Sequence, residues 1–182
     1  MKQRILKTII AIVALVITVS GCGLSEPTGI LRHLDEVEVT DCSYQVPEGM
    51  EYDKENDVHI KKDGDKTFYF SYWVTEGSGE LRFFDDLNED VCEEFEEQAL
   101  EQIYGEEIDV EVINFETFEI DGLPTYRYDV SYEAGGDEIT YTLLMTGADK
   151  VYNFSYEQVN TTEYGQSIEN SIGSISFQYL YK

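Results

Sequence analysis

From residue 37 onward the chain is dominated by alternation between apolar and polar side chains. Across Lys66–Thr75, Phe68, Phe70, Tyr72 and Val74 fall on one side of an extended strand, and Thr67, Tyr69, Ser71 and Trp73 fall on the other. Aromatic rings on both sides predict a strand covered on both faces. In Thr125–Glu133, Tyr126, Tyr128, Val130 and Tyr132 alternate with Arg127, Asp129, Ser131 and Glu133. Ile139–Thr146 and Lys150–Gln158 read as two further strands. Val110–Ile120 changes phase near Ile113, which predicts a β-bulge. Asp121-Gly122, Gly135-Gly136-Asp137 and Gly147-Ala148-Asp149 separate these runs, so the spacing predicts an antiparallel meander. Earlier in the chain, Cys42–Val46 reads as a short strand stopped by Pro47-Glu48-Gly49. Val58-His59-Ile60 leads through Asp63-Gly64 into the 66–75 strand.

A period of nearly four replaces the period of two at Asp86–Tyr104. Val91, Phe95, Ala99 and Ile103 recur on one side with Cys92 alongside, and Asn88 and Gly105 fit the two caps of a helix. Glu93, Glu94, Glu96, Glu97 and Glu101 fill the remainder and are expected to form its solvated face. Asn160 or Thr161 is expected to cap a last helix with Tyr164, Ile168 and Ile172 on one side and Gly173 at its end. Ser176–Tyr179 then reads as an extra edge strand. The fold class is therefore α+β, with an antiparallel sheet sandwiched by helices. The sheet should contain residues 66–75, 110–120, 125–133, 138–146 and 150–158, packed against helices at 88–104 and 162–173.

The first 21 residues follow a different rule. Lys2, Arg4 and Lys7 precede Thr8–Val19, twelve uncharged residues rich in Ile, Val and Ala. That run is too short to span a bilayer, which needs roughly 20 apolar residues. It closes on Val19-Ser20-Gly21-Cys22, which resembles a bacterial lipobox. Residues 1–21 are therefore expected to be a lipoprotein signal peptide, with Cys22 receiving the diacylglyceryl anchor and becoming the first mature residue. Residues 22–36, carrying Gly, Ser and Pro without a period, are expected to be a flexible tether. Residues 37–182 form one domain, placed outside the cytoplasm and held to the cell membrane by lipid and its palmitate-type chains.

Composition bears on partners. Cleavage before Cys22 would remove three of the 12 basic residues and none of the 38 acids, taking the formal charge from −26 to −29. Such a surface repels nucleic acid and anionic lipid alike. Charge does not hold this domain to a membrane; acyl chains do. Fourteen Tyr, nine Phe and one Trp argue for a packed core and against the disorder that acidity alone would suggest.

The order of elements, together with three short motifs, resembles the PsbP-like domains, named for an extrinsic subunit of photosystem II and also found as bacterial lipoproteins. Tyr44-Gln45-Val46-Pro47-Glu48-Gly49-Met50 is similar to the family's opening Y-x-V-P-E-G-W, with Met50 in place of Trp. Ile120-Asp121-Gly122-Leu123-Pro124-Thr125-Tyr126 resembles its mid-domain hairpin. Ile168–Phe177 resembles its final helix and S-F-x-F close. The resemblance covers about residues 37–180. It implies an α/β/α sandwich and no catalysis, because the family has no shared active site.

Residue chemistry adds little to this. His33 falls in the tether and His59 in a strand, and with no third His no zinc set is expected. Gly77-Ser78-Gly79 is not a nucleophile elbow, and no phosphate-binding glycine loop is present. Asp86, Asn88, Asp90 and Glu97 reproduce positions 1, 3, 5 and 12 of an EF-hand loop, but Val91 stands where the sixth position needs Gly. Helix capping explains the same residues, so no metal and no cofactor are expected. Cys42 and Cys92 would close a 51-residue span worth about 4 kcal/mol as a disulfide. Cys92 reads better as a small buried hydrophobe, and free thiols are expected. A carboxylate pair of the hydrolase type could be assembled from so many acids. The expected function is nonetheless a binding or accessory module for a small ligand or an envelope protein. The alternative is a structural or cation-buffering acidic surface.

Overall fold

The computed structural model describes residues 37–75 and 87–181. The segments expected to be signal peptide and tether, residues 1–36 with Cys22 and His33, and also Asp86 and Gly77–Gly79, lie outside the described residues. Strands β1 (Val37–Ser43), β2 (Glu51–Asp53), β3 (Val58–Asp63) and β4 (Lys66–Thr75) precede helix α1 (Glu89–Tyr104). Strands β5 (Val110–Ile120), β6 (Leu123–Ala134), β7 (Asp137–Gly147) and β8 (Val151–Val159) follow. Helix α2 (Gly165–Ile172) and β9 (Ser176–Tyr181) complete the order.

Seven strands form one antiparallel sheet in the order β2-β3-β4-β8-β7-β6-β5. The meander from β5 to β8 is as the turns predict, and its last strand, β8, pairs on its open side with the earlier β4. The bulge falls where the phase changes, between Val112 and Asn114 in the β5–β6 register, and leaves Ile113 exposed. At the β5–β6 turn Asp121 and Gly122 both take positive φ, 52° and 82°, the backbone that Asp-Gly supplies at little strain.

Helix α1 begins where its cap places it. The Asn88 side chain accepts a hydrogen bond from the Val91 N–H at 3.1 Å, and Glu89 and Asp90 occupy the positive end of the dipole. Gly105, at φ 75°, closes the helix by donating to the Glu101 carbonyl. The helix covers one face of the sheet, where Phe95, Ala99 and Leu100 meet Val130, Leu143 and Met145.

The other face is covered by α2 and by a separate ribbon of β1 and β9. Phe68, Phe70, Phe154 and Tyr156 of the sheet meet Ile168, Ile172 and Phe177 there. Arg127 pins α2 in place, with Glu169 at 2.8 Å, Asp129 at 3.2 Å and Glu116 at 3.3 Å.

Three expectations shift. Ser176–Tyr179 does not extend the main sheet, because β9 pairs with β1 from Val37↔Tyr181 to Ser43↔Ser176. The early strand runs over 37–43 rather than 42–46. Beyond Ser43, Gln45 is held by α2-end hydroxyls: its N–H donates to Ser174 Oγ and its carbonyl accepts from Ser171 Oγ. The last helix starts at Gly165 rather than 162. Asn160 has φ 56° and cannot act as an extended N-cap. Its amide instead accepts from the Glu138 N–H and donates to Asp137, tying β8 to the start of β7.

Candidate functional site

Strand β8 lies in the middle of the sheet and is buried along its whole length. Its α2 side carries Tyr152, Phe154 and Tyr156. Its α1 side carries Val151, Asn153, Ser155, Glu157 and Val159, so a polar stripe points into a covered interface. Across the ladder Glu157 pairs with Tyr141 of β7 and Tyr69 of β4, and Ser155 pairs with Ser71.

Helix α1 adds a second carboxyl to this interface. The face that packs on the sheet is Cys92, Phe95, Glu96, Ala99 and Leu100. It is rotated slightly from the Val91–Phe95–Ala99–Ile103 stripe, and the rotation carries Glu96 inside. Glu96, expected among the solvated acids, is 0% exposed, and Glu157 is 2% exposed. Glu96 Oε1 accepts from the Tyr128 hydroxyl at 2.6 Å. Glu96 Oε2, both Glu157 oxygens, the Tyr141 hydroxyl and Ser71 Oγ have no partner in hydrogen-bonding geometry, though the Ser155 side chain lies near the Tyr141 hydroxyl. Among the described residues these are all the buried side-chain polar atoms left so, and all five lie on the α1 side of the sheet.

Burial penalises the charged form of both acids. It pushes Glu96 up to about 7, opposed by the Tyr128 hydrogen bond. It pushes Glu157 up to about 8, with the nearby Glu96 charge adding to the shift. The titratable neighbours that feel this pair are Tyr69, Tyr128, Tyr132, Tyr141 and Cys92, all neutral at pH 7. The arrangement can hold protons, and it offers free acceptor and hydroxyl atoms to a small polar occupant.

A second feature opens at one end of the same face. A groove of about 720 Å³ runs between the α1–β5 connection, the β6–β7 hairpin and the end of β8. Glu106, Glu107, Asp109, Glu111, Glu133 and Glu138 line it, with no Lys, Arg or His among its walls. Tyr132 lines the groove and also feels both buried carboxyls, so it borders the two features.

The residues singled out from sequence do not gather here. Asn88 caps α1 and Glu97 stands in the middle of that helix. Among the described residues no group of three or more His, Cys, Asp and Glu could hold a metal. His59 packs between the rings of Tyr52 and Phe70, at 5.1 and 5.8 Å, and burial lowers its proton affinity. Cys42 joins the cluster on the α2 side and Cys92 the cluster on the α1 side. The sheet separates them, and both are free thiols.

Glu96 and Glu157 are the residues that sequence reasoning missed. A signal existed for Glu96, which stands four residues from both Cys92 and Leu100 and so shares their face. Glu157 carried none, because a polar stripe on a strand reads as a solvent face.

No family model matches the sequence, and no curated protein matches it. Solved structures do. The solution structure of the cyanobacterial PsbP, CyanoP, from Synechocystis sp. PCC 6803 is 11% identical with a TM-score of 0.50. That match covers 85% of this chain and 99% of that one. LpqN of Mycobacterium tuberculosis, involved in cell envelope biogenesis, is 9% identical with a TM-score of 0.46, covering 78% and 91%. A Pseudomonas aeruginosa protein of unknown function, PA94, is 11% identical with a TM-score of 0.43, covering 68% and 92%. The domain has a PsbP-like α+β fold. No helix among the described residues is long and apolar enough to cross a membrane.

Proposed function

We propose that the chain is a lipid-anchored, extracytoplasmic binding module, an accessory to other envelope components, held by diacylglyceryl-Cys22 and taking a small ligand between α1 and the sheet. One observation carries the binding reading: five buried, unpartnered polar atoms are concentrated in one interface. Each costs about 1–3 kcal/mol unpaired, so an occupant that satisfies them recovers part of that cost. It must be small and polar, accepting from the Tyr141 and Ser71 hydroxyls and the protonated carboxyls, or donating to carboxyl oxygens. No reaction is assigned to the pair. Support for the anchor is the ordered basic, apolar and Val19–Cys22 segments.

Two measurements test this. Cells fed labelled palmitate are expected to label the wild-type protein, while the Cys22→Ala protein stays unlabelled and keeps residues 1–21. Label on the Cys22→Ala protein overturns the anchor. Native mass spectrometry of protein extracted from membranes is expected to show an adduct that the Glu157→Leu protein lacks. No adduct on either protein overturns the small-ligand reading.

The acidic groove favours a second reading, a surface that buffers cations. Calcium titration at physiological salt is then expected to give weak, non-saturating heat. A saturable one-to-one isotherm abolished by Asp86→Ala would instead place a specific site at residues 86–97.

A further inference from the structure

The two ends of the sheet differ in kind. At one end stand the β5–β6 and β7–β8 turns, as the Thr125↔Thr146 pairing shows, and at the other stands the β6–β7 hairpin, where Ala134 pairs with Asp137. The acidic groove belongs to the hairpin end. The β1–β9 ribbon is fastened to the opposite end. The Val39 N–H donates to Asp149 beside the β7–β8 turn, and the Phe177 N–H and the Tyr179 hydroxyl donate to Asp121 in the β5–β6 turn.

Val39 pairs with Tyr179, and two residues further along the same ribbon Val37 pairs with Tyr181. Val37 is the first described residue after Cys22, with 14 residues between them. Beside it the ribbon leaves Leu180 65% and Tyr181 75% exposed, the two most exposed large hydrophobic side chains among the described residues. Tyr181 packs edge-on against Tyr179, 5.7 Å between ring centres. An aliphatic side chain and a pair of tyrosines, apolar in body and polar at the tip, suit the interface between acyl chains and headgroups.

We infer that the β1–β9 end rests on the lipid surface through Leu180 and Tyr181, so that the acidic groove faces away from the membrane. This rests on the Cys22 anchor proposed above. The covalent link from Cys22 to Val37, with 14 residues between them, reaches no farther than about 50 Å. It therefore keeps the ribbon end at high effective concentration near the bilayer, where a weak apolar contact suffices to orient the domain. Glu38, opposite Leu180, and Asp121 and Asp149 at the same end outnumber Lys150 beside them, so the surface they suit is a neutral, zwitterionic headgroup layer, and an anionic layer would repel them.

The full-length lipidated protein, reconstituted in phosphatidylcholine vesicles containing brominated lipid, tests the orientation. In a Trp73→Phe background, the Tyr181→Trp protein is expected to lose emission to the brominated chains, and the Thr162→Trp protein, at the groove, to keep it. Adding Leu180→Asp, or replacing part of the phosphatidylcholine with an anionic lipid at low salt, is expected to reduce the quenching at position 181. Vesicle flotation and fatty-acid labelling are read on the same samples. Protein that is labelled and floats, yet is quenched no more at 181 than at 162, leaves the anchor standing and overturns the orientation. Protein that neither labels nor floats overturns the anchor and the orientation together.

Discussion

Between about pH 5 and pH 8 the folded protein is expected to lose stability, and the double substitution Glu96→Gln with Glu157→Gln is expected to remove much of that loss. Both carboxyls ordinarily titrate at 4.5, and the fold raises them to about 7 and about 8. Below pH 4.5 both are protonated whether the chain is folded or not, and they contribute no pH dependence. Above it the unfolded chain releases protons that the folded state keeps. Stability then falls by about 1.4 kcal/mol per pH unit for each group, until the folded form ionises too. By pH 8 the accumulated penalty is on the order of 3–5 kcal/mol for each group, about 8 kcal/mol for the two together. The acidic surface also repels itself more strongly as pH rises, so the informative quantity is the difference between wild type and double variant. Denaturant unfolding should show no large difference at pH 4.5 and a clear gain for the variant at pH 8. An amide at position 96 still accepts from Tyr128, so the variant keeps that hydrogen bond. Equal slopes in the two proteins would mean that the carboxyls are not buried together.

What could be read in advance, and what could not, divides along the sheet. The meander, the bulge at Ile113 and both caps of α1 follow from local rules: alternation, Asp-Gly turns, an Asn before a helix and a Gly after it. Each is decided within a few residues, so the sequence displays it. The pairing of β9 with β1 joins residues about 140 apart, and no local signal distinguishes that ribbon from a strand added to the main sheet. The candidate site was hidden for a related reason. Asn153, Ser155 and Glu157 form a polar row that a half-exposed strand would turn to water. Here β4 and β7 flank it and the face is covered; Asn153 finds Thr75 Oγ1 and the Val151 carbonyl, and both Glu157 oxygens are left without partners. Glu96 could have been placed by centring the helix face on Cys92, Ala99 and Leu100 rather than on Val91. Only a tertiary contact brings it to the side of Glu157.

Phe154→Ala is expected to have the opposite effect, destabilising the protein by about 3–5 kcal/mol, three residues from a position where removing a charge stabilises it. Phe154 is fully buried on the dry side of β8 and pairs across the sheet with Tyr72 and Leu144. Its ring lies 5.0 Å from that of Tyr72 and 5.4 Å from that of Tyr44, the latter edge-on. Truncation therefore removes transfer energy, leaves a cavity between sheet and ribbon, and breaks two aromatic contacts worth about 0.5–1.5 kcal/mol each. Tyr44 is held by the Gln45 contacts to Ser171 and Ser174 rather than by strand pairing, so it closes the gap poorly. For a chain of this size the loss corresponds to a fall of about 10 °C in Tm. Val74→Ala, on the same face of β4 but partly exposed, is expected to cost much less. Calorimetry decides it: a Tm for the Phe154→Ala protein no lower than for the Val74→Ala protein would show that the aromatic layer under the ribbon is not the core. A large loss there, beside a gain from Glu157→Gln at pH 8, would show the two faces of one strand working in opposite directions.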